Sequence, residues 1–194
     1  MRELPEAFCW TKYGAEAGEG ASSILRRKEL ERLATGGIFL WGIGNAIGPS
    51  LEQLLGQACE PKVVFTPMLS RPAAKDAAPS RVHVWQRGEG LDGAPFELPK
   101  HTKVTSRDTG SNRPHYALVC QRTEPITQHD APASFAASSV ANLRSGSPVG
   151  ASQVTAVVRR AGNDLQRSGS HYTVAFVADL VFPYLVRLTE PAVV

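Results

Sequence analysis

The sequence predicts an α+β fold, and three observations lead to that prediction. Short runs of β-branched and aromatic residues, each bounded by glycine or proline, are typical of strands. Two segments between the early strands have the apolar spacing of helices. No regular series of alternating strands and helices follows them, which disfavours a parallel α/β sheet. The chain has 194 residues, of which 42% are hydrophobic and 20% charged, so it can bury a real core.

The first two predicted elements are a strand and a helix. Ala7–Tyr13 is rich in aromatic residues and lies between a proline and a glycine, which favours a strand. Residues 22–34 begin at a serine pair and end before a glycine pair, as helices often do. In this helix we expect Leu30, Leu33 and Ala34 to belong to the buried face, with the charged side chains solvated.

A strand, a glycine turn, a helix and another strand come next. Residues 38–41 form a short apolar strand that runs directly into the glycine turn. A helix begins near Pro49, because apolar residues after it recur at i, i+3, i+4 and i+7. These residues are Leu51, Leu54, Leu55 and Ala58. Lys62–Pro67 is the next strand, with two valines and a phenylalanine in succession.

The rest of the chain is expected to be mostly strands and loops. The predicted strands are residues 81–86, Lys103–Arg107, His115–Gln121 and 172–182, then a break at Pro183 and a last strand ending at Leu188. Residues 88–99 are expected to form a loop with a tight turn at Asp92-Gly93.

Three segments near the C-terminal third have weaker patterns. Residues 123–133, rich in proline and polar residues, are expected to be a linker, and residues 134–143 a helix. Residues 153–160 fit a helix by the spacing of their apolar positions and a strand by their β-branched content. Both interpretations of that last segment stay open at this point.

Charge and cysteine content narrow the class of protein. The net charge of +3 permits contact with phosphates without demanding it. The three cysteines Cys9, Cys59 and Cys120 are odd in number and far apart, which favours a reducing compartment over a disulfide framework. The first residues include glutamates and a proline where a secretory peptide needs an apolar run. We therefore expect a cytoplasmic protein without a membrane segment.

No enzyme motif is apparent in the sequence. The glycines Gly42, Gly44 and Gly48 follow a strand, but they have one residue too many for a dinucleotide fingerprint. The five histidines form no pair at metal-ligand spacing. We therefore assign no catalytic residue, metal or cofactor, and favour a binding role. Two alternatives stay open: an enzyme acting on a nucleotide or small amide, with Asp179 or a histidine as base, and an assembly protein whose C-terminal strand forms a dimer edge.

Aromatic residues at the ends of early strands indicate what could be bound. Trp10, Tyr13 and Trp41 occupy such positions, and Trp41 immediately precedes the glycine turn. Four segments follow one another in this part of the chain: Phe8-Cys9-Trp10-Thr11-Lys12-Tyr13, Phe39-Leu40-Trp41-Gly42-Ile43-Gly44-Asn45, Leu51-x-x-Leu54-Leu55 and Val63-Val64-Phe65-Thr66. In the order of these segments and in the residues they contain, residues 5–122 resemble the EVE and YTH members of the PUA-like superfamily.

The resemblance implies a small, strongly bent β-barrel with packed helices, which holds a flipped or single-stranded base, often methylated, in an aromatic cage. Trp41 would be the cage tryptophan, Asn45 the polar residue of the following turn, and Lys12 and Tyr13 the end of the first strand. The residues assigned to the pocket are Trp10, Lys12, Tyr13, Trp41, Gly42, Asn45, Trp85 and Tyr116. The second wall is left open among Trp10, Trp85 and Tyr116. Residues 123–194 are expected to complete the same domain with a helix and strands.

The expected partner is DNA or RNA that contains a modified base. Phosphate contacts need cations at the pocket mouth. The candidates are Arg71 and Lys75 in one loop and Lys103 and Arg107 in a later strand. Such readers often serve prokaryotic restriction or defence systems, where a nuclease partner would supply cleavage.

Overall fold

The computed structural model describes residues 4–14, 19–44, 46–68, 80–99, 103–107, 114–126, 133–161 and 170–192. In these residues the protein is α+β, mostly sheet with two α-helices. The helices are α1 (Ala21–Ala34) and α2 (Gly48–Gln57). The strands are β1 (Ala7–Tyr13), β2 (Ile38–Ile43), β3 (Lys62–Pro67), β4 (Ser80–Gly90), β5 (Pro95–Glu97), β6 (Lys103–Arg107), β7 (His115–Gln121), β8 (Ser134–Ala136), β9 (Val140–Asn142), β10 (Thr155–Arg160), β11 (His171–Thr173) and β12 (Phe176–Ala192).

The chain forms two compact units, each assembled from three separate stretches of sequence. The first unit contains the described residues within Met1–Tyr13, Ile47–Met68 and Gln128–Asp179. Its strands lie in the order β12, β3, β1, β10, β9, and β8 pairs separately with β11. β1 is parallel to β3 and antiparallel to β10. α2 packs against β1 and β10.

The core of the first unit is built where alternate side chains of β1 and β10 point to one face. Phe8 lies opposite Val158 and Trp10 opposite Ala156, so all four share a face. The buried residues of this core are Phe8, Trp10, Val64, Phe135, Val140, Ala156, Val158 and Val174. Their aromatic and β-branched character explains why these segments are strands.

The second unit contains the described residues within Gly14–Ala46, Leu69–Thr127 and Leu180–Val194. Its strands lie in the order β2, β7, β12, β4, and β4 also pairs with β5 and β6. α1 packs against β2, and Cα atoms of β6 approach those of β2 to within 8 Å. The buried core residues are Leu40, Trp85, Leu98, Ala117, Val119, Val186 and Leu188.

The orientation predicted for α1 is wrong. Leu30 and Leu33 are each 61% exposed, and Ala34 is exposed as well. The buried face instead consists of Ile24, Lys28, Glu31 and Arg32. The charged side chains can be buried because each is paired and hydrogen-bonded inside the protein, which offsets the cost of removing charge from water.

The helix predicted at residues 134–143 is also wrong. This segment contains β8, a single turn of 3-10 helix at Ala137–Ser139, and β9. Serines compete with helical hydrogen bonds, and Ser139 Oγ donates to the carbonyl of Ala136 at 2.7 Å. Pairing of β9 with β10 and of β8 with β11 then outweighs a weak helical preference.

Two further segments resolve as strands. Residues 153–160, left open between helix and strand, contain the strand β10, which pairs on both sides. The break expected at Pro183 lies inside the long strand β12, which continues to pair with β4 from Val186 to Ala192.

The turn at Asp92-Gly93 is confirmed, with φ of +77° at Gly93 and Asp92 Oδ1 accepting the N–H of Ala94 at 3.0 Å. The loop predicted around it is partly a hairpin of β4 and β5.

Residues 123–194 supply strands to both units, β8 to β11 to the first and the later part of β12 to the second. Within the described residues, neither helix has the length and apolar character needed to cross a bilayer.

Candidate functional site

Trp41 lies in β2, which the sequence predicts to end at this residue but which continues to Ile43, so the turn begins at Gly44. The residue is 7% exposed. Along the turn the chain emerges, since Gly44 and Ala46 are both exposed. A Cβ atom added at Gly44 would meet no other heavy atom within 4 Å, so there is open space beside the turn. Asn45, the predicted polar residue of the pocket, lies outside the described residues.

The β2–β7 pairing determines which residues share the face of Trp41. Trp41 lies opposite Leu118, and Ile43 lies opposite Tyr116, so all four belong to one face of the sheet. Tyr116 is half-buried and occupies the diagonal position relative to Trp41. Such diagonal neighbours are about 7–8 Å apart, within reach of aromatic side chains. Tyr116 is thus a candidate second wall on the face of Trp41.

Trp85 belongs to the opposite face of the same sheet. It packs in the core with Leu40, Ala117 and Val119, the residues that alternate with Trp41 and Leu118 along β2 and β7. Its ring centre is 5.3 Å from that of His115, which also belongs to this face. Trp85 and Trp41 therefore do not face each other across one pocket, and Gly42, opposite Ala117, occupies the Trp85 side.

A buried ion pair on α1 is hydrogen-bonded to the backbone next to Trp41. Glu31 Oε1 accepts the backbone N–H of Leu40 at 2.9 Å, and its Oε2 lies 2.7 Å from Lys28 Nζ. The side chains of Lys28 and Glu31 are only 3% and 1% exposed. Burial lowers the pKa of Lys28, and the charge of Glu31 opposes that shift. The sequence analysis expects the charged side chains of this helix to be solvated, so it missed the role of Glu31.

Two of the other predicted pocket residues, Trp10 and Lys12, belong to an aromatic cluster in the first unit, whereas Tyr13 lies on the opposite face of β1. The Lys12 ammonium lies 4.6 Å from the ring centre of Trp10 and 5.1 Å from that of Tyr172. The Trp10 and Tyr172 rings meet edge to face, with centroids 4.9 Å apart. Such a cation over two rings is a cation–π arrangement. Sequence reasoning missed Tyr172, since its strand is short and lies far from Trp10 and Lys12 in sequence.

Lys12 and Tyr13 are buried in this unit. Lys12 Nζ also donates to the carbonyl of Ala151 at 3.4 Å. The Tyr13 ring lies 6.4 Å from that of Phe176, and burial raises the pKa of Tyr13. The structure thus places Trp10, Lys12 and Tyr13 in the first unit. Trp41, Gly42, Trp85 and Tyr116 belong to the second unit.

The predicted phosphate contacts are not described at the side-chain level. Arg71 and Lys75 lie outside the described residues, and Lys103 and Arg107 are described only as positions in β6. In the register of the sheet, Lys103 lies opposite Val84 and Arg107 opposite Ser80.

Among the described residues, no group of three or more histidine, cysteine, aspartate or glutamate side chains could hold a metal ion. Cys9 lies fully inside the first unit, and burial raises its pKa to about 12. A thiol in that state is a poor nucleophile at neutral pH. Neither observation supplies chemistry to the faces that hold Trp41 and Trp10.

No protein-family model, curated protein or solved structure matches this chain.

Proposed function

We propose that the chain is a nucleic-acid-binding module that holds a flipped or single-stranded, methylated base against Trp41. The observation that carries the proposal is the position of Trp41, two residues before the end of β2 and the exposed turn that follows, with Tyr116 on the same face. Stacking of a base on an aromatic side chain contributes about 1–3 kcal/mol. A methyl group adds apolar area to the base and favours a pocket with two aromatic walls.

The fold in this proposal is a strongly bent, PUA-like barrel of the EVE or YTH type, centred on the second unit. What supports it is the course of the strands, because β6 approaches β2 although four strands, β2, β7, β12 and β4, precede it in the order of pairing. A sheet whose two ends approach each other is curved in the way that a barrel requires. The mouth of such a barrel is a common place for a small ligand.

The proposed ligand is a strand of DNA or RNA, and the net charge of +3 is compatible with it. Cleavage in this proposal comes from a nuclease partner of a prokaryotic restriction or defence system, with this chain as the reader. The partner would bind outside the base pocket, so that recognition and cleavage remain separate steps.

The proposal is tested by fluorescence anisotropy with single-stranded DNA and RNA oligonucleotides. Each oligonucleotide contains adenine, N6-methyladenine, cytosine or 5-methylcytosine at one central position, and binding is measured at two salt concentrations. The parent protein is expected to prefer one methylated base. Trp41→Ala should remove this preference, a loss of about 5–150-fold for a stacking contribution of that size. Salt should weaken all complexes alike.

Two further variants keep the test interpretable. Trp41→Phe retains an aromatic face and a filled site, so it should fold and keep part of the preference. Phe182→Ala removes an aromatic side chain of the same unit that is 70% exposed, and it should leave the preference unchanged. A Trp41→Ala protein that folds and still discriminates as well as the parent would show that the base does not stack on Trp41.

A further inference from the structure

We infer that Glu31 is the positioning residue for Trp41, because its carboxylate fixes the edge of β2 at the residue that precedes the indole. The inference rests on the proposed function, since it assigns a role in base discrimination to a side chain that the base does not touch.

The backbone N–H of Leu40 points away from the rest of the sheet. β2 is the terminal strand in the order of the second unit, and its neighbour β7 lies on one side only. Alternate residues of an antiparallel strand direct their N–H and C=O groups to opposite edges. The Leu40 N–H donates to Glu31 Oε1 at 2.9 Å, so it belongs to the outer edge.

A second contact holds the same edge. The Thr35 hydroxyl lies within hydrogen-bond distance of the carbonyl of Ile38, two residues before Leu40 on β2, and of the carbonyls of Glu31 and Arg32 on α1. The end of α1 and the residue after it therefore satisfy two successive backbone groups of this edge. The next residue along the strand is Trp41, whose Cα position follows directly from that of Leu40.

The charge of Glu31 strengthens this contact. Hydrogen bonds to an ionised acceptor are about twice as strong as neutral ones, and Lys28 Nζ, 2.7 Å from Oε2, keeps the buried carboxylate compensated. Lys28 and Glu31 thus act together, one supplying the charge balance and the other the bond to β2. Binding sites need such support, since side chains must be held within roughly 0.5 Å of the productive position.

The same helix offers a matched control in Glu29. Its carboxylate pairs with Arg32 at 2.7 Å and accepts the backbone N–H of Ile126 at 2.8 Å. Glu29 therefore makes the same two kinds of contact as Glu31, on the same helix, but to the segment after β7 instead of to β2. Loss of either contact should affect stability, whereas only loss of the Glu31 contact should affect Trp41.

The experiment compares Glu31→Leu with Glu29→Leu in protein labelled with 5-fluorotryptophan. Fluorine NMR gives one resonance for each of the three tryptophans, assigned with Trp→Phe variants. We expect Glu31→Leu to shift or broaden the Trp41 resonance and to reduce the preference for the methylated base by about fivefold or more. Glu29→Leu should lower the melting temperature and leave both the Trp41 resonance and the preference unchanged.

A rescue variant covers the case in which Glu31→Leu does not fold. In Lys28→Met/Glu31→Gln the amide oxygen still accepts the Leu40 N–H and no charge is buried, so the Trp41 resonance and the preference should stay within about twofold of the parent. Equal effects of Glu31→Leu and Glu29→Leu on Trp41, or an unchanged Trp41 in Glu31→Leu, overturn the inference. If Glu31→Leu does not fold, a rescue variant with a displaced Trp41 resonance overturns it.

The two proposals can fail separately. A parent protein without any preference among the oligonucleotides refutes the proposed function, and the fluorine spectra then decide alone whether Glu31 sets the position of Trp41. A parent that discriminates through Trp41, with no response to Glu31→Leu, retains the proposed function and refutes the inference.

Discussion

Trp10 donates its indole N–H to the hydroxyl of Thr66 at 2.9 Å, and both side chains are buried. The bond joins β1 to β3, which run parallel, and it is diagonal, because Trp10 lies opposite Val64 and Lys12 opposite Thr66. A buried indole N–H that loses its acceptor keeps the full cost of its lost hydration. Trp10 is therefore held in a fixed orientation beneath Lys12 and Tyr172.

A double-mutant cycle measures the strength of that bond. Thr66→Val is expected to lower the free energy of unfolding by about 1–3 kcal/mol, since it leaves the Trp10 N–H without a partner. Combined with Trp10→Phe, it should show a coupling of about 0.5–1.5 kcal/mol in urea denaturation. Thr173→Val, at an exposed position of the same unit, should stay within about 0.5 kcal/mol of the parent. Additive effects of the two buried substitutions would contradict the bond.

The exposed leucines of α1 give a second prediction. Leu30→Gln and Leu33→Gln should each change the free energy of unfolding by less than about 0.5 kcal/mol, because both side chains are largely solvated. Ile24→Ala, on the buried face of the same helix, should cost about 2–4 kcal/mol. Thermal denaturation of the three variants decides between this orientation and the one expected from the sequence. A large loss of stability in Leu30→Gln would instead support the orientation expected from the sequence.

Thiol accessibility gives a third prediction. Cys59 is exposed, whereas Cys9 and Cys120 are buried. Titration of the folded protein with a chromogenic disulfide reagent should therefore release one equivalent rapidly, and unfolding in urea should release three. Cys59→Ser should remove the rapid phase. A second rapid thiol in the folded parent would show that one of the buried strands opens easily.

The pKa of Cys9 gives a fourth prediction, for alkaline pH. Burial raises this pKa from 9.0 to about 12, so the folded state retains a proton that the unfolded state releases. Its contribution is complete below pH 9 and is lost as pH rises towards 12, at up to about 1.4 kcal/mol per pH unit. Urea denaturation between about pH 8 and pH 11 should therefore show a steeper decline for the parent than for Cys9→Ala. Parallel declines would contradict a buried, protonated thiol.

Much of the secondary structure could be predicted from local patterns. β1, β3, β6 and β7 match the predicted bounds, because each is a short β-branched or aromatic run between breakers. The wrong predictions have one cause in common: contacts between residues distant in sequence decide the secondary structure or the orientation of the element. Residues 134–143 become strands through pairing with β10 and β11. The orientation of α1 depends on partners such as Leu40 and Ile126, which no helical period can reveal.

The candidate site could be predicted only in part. The strand that contains Trp41 follows from neighbouring residues, although it continues through Gly42 to Ile43 before the turn begins. The alternation along a strand is also visible in the sequence. The pairing that puts Tyr116 on the face of Trp41 and Trp85 on the other requires the register of β2 and β7. Glu31 could not be found at all, because a lysine and a glutamate at i, i+3 on a helix usually indicate a solvated pair.

The interleaved origin of the two units affects how the protein can be made. Phe8 pairs with Val158, and Val84 pairs with Ala192, so each unit waits for a strand that is synthesised more than 100 residues later. A nascent chain that has already emerged up to β7 still lacks β10, the antiparallel partner of β1, and the part of β12 that pairs with β4. Late pairing of this kind slows folding and prolongs the exposure of unpaired strands. Synthesis in the presence of chaperones that shield such strands should therefore raise the yield of native protein more than codon changes confined to the first helix.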